Sequence, residues 1–232
     1  MNSPFTQSLA RLGGISSIVQ AVAYVIAVVA VMFMPLDRIT NSTADFAAFY
    51  SANPAPITIL GLSLVALAVL GLTSVVPATA ALLGEVHSGW VTLGRNIAFL
   101  SLGVIMVYYT WFLSSVSGYV EAYNSGDRVV QAIISTTDPH VPLNWVGWFI
   151  FGGMGLWVAV VGSIVFRTGV LHRGFVLTCV IKTGGFWIAL AGITLHHIPL
   201  AMVGTVIGAL IGGTLYHLWL GIALLQKAAR LT

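Results

Sequence analysis

Charge is what this chain has least of. Only 6% of its 232 residues are Asp, Glu, Lys or Arg and 58% are hydrophobic, whereas a soluble domain carries roughly 25% charged residues. That balance excludes an ordinary water-soluble globule. Cysteine is nearly absent too: Cys179 stands alone, which rules out an intramolecular disulfide and any multi-thiolate cluster, and leaves the thiol as a small packing residue. The patterns H-E-x-x-H, G-x-x-x-x-G-K-[ST], G-x-S-x-G and C-x-x-C are missing, and with them the common signatures of zinc hydrolysis, phosphate binding, serine nucleophiles and thiol redox chemistry. The long apolar runs contain no Asp or Glu away from their ends. Paired carboxylates for acid/base hydrolysis or cation-coupled transport are therefore lacking, and a catalytic role is disfavoured. No basic patch interleaves with aromatics, so nucleic acid is not an expected partner.

What is present is apolar length. Six runs, at about 12–35, 56–83, 96–117, 144–166, 174–197 and 199–225, are each long enough to cross a hydrocarbon core of about 30 Å at about 1.5 Å per residue. The expected fold class is all-α: one polytopic integral membrane domain of six transmembrane helices in a single bundle. With the amino terminus inside, Arg11, Arg95, Arg167, Arg173, Lys227 and Arg230 are cytoplasmic and only Arg38 and Arg128 lie outside, so the positive-inside rule puts both termini in the cytoplasm of a bacterial cell membrane. Two outer connections are long. Val129, Val130, Ile133 and Ile134 recur at helical spacing in the second, and predict a short helix lodged in the interface; Phe46, Phe49 and Tyr50 suggest another in the first.

Within the runs, Lys182 is the most informative residue. A cation there is costly in lipid, so it must face protein or water, or snorkel to the interface. Thr178, Lys182, Gly185, Ala189, Gly192 and His196 share one face of the fifth run, while Gly204, Gly208 and Gly212 form a small-residue row in the sixth that admits a close helix neighbour. If the chain reverses near Ile198 and Pro199, Lys182 and His217 lie at one depth, with Gln20 near that level and Glu85 and Asn96 closer to the surface. These five form the expected intramembrane polar cluster. Three uses compete: structural satisfaction, a pocket or pathway for protons or a small anion, and a cofactor site with His217 ligating a haem or other tetrapyrrole flanked by Tyr216, Trp219 and Trp187. On the outer side His196, His197, Asp138 and His140 offer zinc or copper ligands, against a plainer use in capping and anchoring.

Ala10-Arg11-Leu12-Gly13-Gly14-Ile15 and the stretch Gly212-Gly213-Thr214-Leu215-Tyr216-His217-Leu218-Trp219-Leu220-Gly221-Ile222 resemble the bacterial six-helix membrane family labelled domain of unknown function 4386. The resemblance implies the six-helix architecture and carries over no site; Thr214 stands where such families tend to have proline. The expected function is a non-catalytic accessory, scaffold or ligand-sensing component of a larger membrane assembly, in contact with the lipid bilayer and other membrane helices. The alternatives are a haem- or pigment-bearing protein and a small permease.

Overall fold

The computed structural model describes residues 4–39, 42–84, 88–137 and 146–231. It is all-helical among those residues, and six helices are long and apolar enough to cross a membrane, as in a multi-pass membrane protein. In chain order the helices are α1 (Pro4–Met32), α2 (Leu36–Ile39), α3 (Thr43–Ala52), α4 (Ala55–Gly84), α5 (Ser88–Asn124), α6 (Arg128–Thr137), α7 (Trp148–Thr168), α8 (Gly174–Thr194) and α9 (Ile198–Ala229). The spanning helices are α1, α4, α5, α7, α8 and α9.

The ends of these helices follow local chemistry. Pro56 opens the first turn of α4, where a missing N–H costs nothing. Asp127 accepts hydrogen bonds from the backbone N–H groups of Val129 and Val130 at 2.8 and 3.2 Å and so starts α6. Gly169 closes α7 in the left-handed region at φ 65°. α5 runs well past the apolar segment expected at 96–117, because nothing polar in its last turns breaks a helix before Gly126, at φ 80°. α8 ends at Thr194, earlier than expected: His196 turns left-handed at φ 52°, His197 caps α9 by accepting the Leu200 N–H on Nδ1, and Pro199 follows.

Packing follows chain order. Each spanning helix packs on the next, and α9 returns to α1, so the six close into a ring. The closing seam brings together the two stretches that carry the family resemblance: a Cβ at Gly14 would stand 2.9 Å from the Gly221 carbonyl oxygen, and one at Gly221 would stand 2.8 Å from that of Gly14. The α8–α9 hairpin is equally tight. A Cβ at Gly212 would lie 2.6 Å from the Lys182 Cα, and one at Gly192 would lie 2.7 Å from the Ala201 Cα. Such approaches let backbones touch where apolar surface alone gives no drive in lipid.

Three stretches depart from α-helical winding, at Gly71–Val75, Trp148–Gly153 and Val206–Gly213, where the helix widens to π. π-bulges of this kind often mark functional sites. Glu85, Asp138 and His140 fall outside the described residues.

Candidate functional site

Lys182 does not snorkel. It is fully buried, and its Nζ lies 2.8 Å from Nε2 of His217. On the other side of the imidazole, Nδ1 lies 3.1 Å from the hydroxyl of Ser17, which donates its hydrogen to the carbonyl oxygen of His217 at 2.9 Å. A charged Lys182 can only donate, which makes Nε2 its acceptor and leaves Nδ1 to carry the imidazole proton toward the Ser17 oxygen. The ordering is Lys182 to His217 to Ser17, across α8, α9 and α1.

Aromatic rings complete the surroundings of the ammonium group. Its Nζ stands 4.5 Å from the ring centre of Tyr216, 4.7 Å from Tyr24 and 5.6 Å from Phe186. Tyr24 also stacks on His217 at 5.4 Å, and Tyr216 meets the same imidazole edge-on at 4.9 Å. Each cation–π contact contributes about 0.5–2 kcal/mol, more when dry. They replace the carboxylate that a buried lysine would ordinarily require, since among the described residues no Asp or Glu is buried.

Gln20, one turn along α1 from Ser17, donates from Nε2 to the Leu67 carbonyl at 2.6 Å, just before the π stretch of α4. Its Oε1 is buried without a hydrogen-bond partner, as is the hydroxyl of Tyr216. Asn96, expected in this cluster, is exposed on α5 and takes no part.

Above this group, on the side away from the chain termini, the ring is hollow. A cavity of about 400 Å³ occupies the axis, with walls from all six spanning helices and a roof from α2 and α3 through Leu36, Ile39 and Phe46. The walls are almost wholly aliphatic or aromatic. Tyr24 and Phe186, which face Lys182, form its floor, and the π stretches of α7 and α9 contribute Phe151 and Ala209. The polar residues lining it are Tyr24, Tyr109 and Thr205 and, at the end away from the termini, His196 and His197.

The cofactor expectation does not fit this geometry. Axial ligation needs a free ring nitrogen, and both nitrogens of His217 are engaged, with Tyr24 and Tyr216 packed on the ring. Trp219 is turned away and stacks on His172 at 6.1 Å, while Trp187 is largely exposed and packs at Gly155. Of the three aromatics expected to flank His217, only Tyr216 does. The outer histidines are at the cavity mouth, but His197 has its Nδ1 committed to the helix cap, and no three metal-ligating side chains converge among the described residues. Ser17 is the participant that sequence reading missed. Serines are common in membrane helices, and only its phase, three residues before Gln20 and seven before Tyr24 on one face, marked it.

No match identifies the chain. Family models, curated proteins and solved structures all lack one.

Proposed function

We propose that this protein is a non-catalytic membrane component that holds or senses a lipophilic small molecule in its axial cavity, with both termini in the cytoplasm. The observation that carries the reading is the cavity itself. Its volume of about 400 Å³ falls in the range of small-molecule sites, about 300–1,000 Å³, and such sites pair apolar walls with a few oriented polar groups. Tight packing is the rule in protein interiors, so a hollow of this size in a chain whose glycines otherwise bring backbones into contact favours occupancy.

Two other readings carry less. Ser17 and His217 stand at the distance of a nucleophile and its base, but Ser17 is buried away from the cavity and its hydrogen is committed to a carbonyl. Catalysis has no open reacting atom there. The glycine rows at Gly185, Gly192, Gly204, Gly208 and Gly212 are filled by contacts between α8 and α9 of the same chain, which leaves less surface for a scaffold built on helix partners from outside.

The test is native mass spectrometry of the protein released from membranes in mild detergent. The expected result is a bound lipophile that is retained by the native chain and lost from Ala27→Phe, which drives a ring into the cavity wall. Equal occupancy in both, or none in the native protein across a panel of membrane lipophiles, overturns the proposal.

A further inference from the structure

Lys182 and the cavity share a wall. Tyr24 and Phe186 line the cavity floor and both turn their rings to Nζ, at 4.7 and 5.6 Å, so a single layer of aromatic side chains separates the hollow from the one buried cation among the described residues. Among the described residues no carboxylate is buried to neutralise that charge. Its hydrogen-bond acceptor is an imidazole nitrogen, which brings a lone pair and no negative charge. A cation in a low-dielectric interior attracts an anion over longer distances than in water, and the nearest space that can hold one is the cavity.

The walls constrain what that anion is. They are mostly apolar, with few polar side chains between the floor and the two histidines, so a small hydrated anion would lose its water and recover few hydrogen bonds. An amphiphile meets both demands: an apolar body for the walls and one charged head for the floor. Tyr24 and Tyr109 are among the lining residues, and a carboxylate accepts hydrogen bonds from tyrosine hydroxyls.

We infer that the cavity takes a lipophilic monocarboxylate of the fatty-acid class, with its head at the Tyr24 floor, where it neutralises Lys182 across the ring layer, and its chain directed toward the roof of α2 and α3. The inference rests on the cavity reading above and narrows its ligand. Lys182 is a binding residue here, and the group of His217 and Ser17 holds its ammonium in place.

The test uses the full chain in lipid nanodiscs and two photoactivatable probes of equal length, a diazirine-bearing long-chain fatty acid and its methyl ester, with labelled residues mapped by mass spectrometry. The expected result is that the acid labels cavity residues of α4 and α5 about tenfold more than the ester, equivalent to about 1.4 kcal/mol of preference. In Lys182→Met that preference falls to less than about twofold while labelling by the ester is unchanged. Equal labelling by acid and ester in the native protein overturns the inference and leaves the cavity reading standing. Labelling of the cavity by neither probe overturns both. A preference for the acid that survives in Lys182→Met assigns the selectivity to the tyrosines and overturns the role of Lys182. The comparison of acid with ester in the native chain stays decisive if the variant fails to fold.

Discussion

The two halves of the ring are built from similar residues to opposite ends. Toward the chain termini, Gly14 meets Gly221 and Gly212 meets Lys182 backbone to backbone, and the side chains between them leave Leu83, Val165, Phe175 and Leu220 without solvent contact. Toward the other end the six helices surround a hollow roofed by two short ones, while α8 and α9 stay in contact at Gly192 and Ala201. The solid half holds a fully buried lysine against the imidazole of His217 and the rings of Tyr24, Tyr216 and Phe186. The hollow half carries almost no polar groups and keeps space. Close packing and open space are thus divided along the bundle axis, with Tyr24 and Phe186 as the common wall.

Adding one methyl group separates the close helix seam from open positions most sharply. Gly208→Ala places a Cβ 2.6 Å from the backbone nitrogen of Phe186; backbone cannot step aside as a side chain can, so we expect a loss of about 3 kcal/mol or more. Gly103, on α5, has nothing within 4 Å of its Cβ position, and Gly103→Ala should stay within about 1 kcal/mol of the native protein. Maleimide labelling of Cys179, buried at 2% exposure, during titration with denaturing detergent reads both. If the two variants unfold together, the α8–α9 contact is not the rigid seam described.

Within the solid half, the buried group predicts an asymmetry. His217→Ala removes the acceptor of Lys182 and the donor to Ser17 together and leaves a gap, for an expected loss of about 3 kcal/mol. Lys182→Met keeps most of the side-chain volume and deletes the desolvated charge; the lost donor to Nε2 is largely offset, and the net change should be within about 1 kcal/mol. The same labelling curve checks the order. A Lys182→Met protein less stable than His217→Ala would mean that the cation, and not the imidazole, organises the group.

The smallest effect belongs to the hollow half. Ala27→Leu extends a side chain into the cavity wall, where filling a void commonly gains about 0.5–1 kcal/mol. We expect a slightly more stable protein that binds lipophile less well, seen as a loss of ligand-dependent shift in melting temperature. Destabilisation by Ala27→Leu would mean that the space is smaller than the walls suggest.

Much of this was legible in the chain. Length and hydropathy of the runs give the six spanning helices, since a 30 Å hydrocarbon layer sets their minimum length. The alternation of Val129, Val130, Ile133 and Ile134 marks α6, and depth counting about Pro199 puts Lys182 and His217 at one level, because a hairpin of two helices matches residues by rise per residue. Helix ends were less legible. α5 continues to Asn124 and α8 stops at Thr194, as caps and left-handed residues decide ends locally whereas hydropathy reports only the span. Asn96 and Trp219 show the limit of position along the chain as a guide: Asn96 is exposed on α5, and Trp219 turns to His172 and away from His217.

The sequence by itself determined the solvent, the number of crossings and the level at which a buried cation would sit, because these depend on composition and on distance along a helix. Tertiary structure alone decided that α9 closes on α1, that Ser17 joins His217, and that the axis stays open above Tyr24. Each of those depends on which way a helix faces and how near its neighbour comes, and rotation about a helix axis in an all-apolar segment leaves almost no trace in the order of residues.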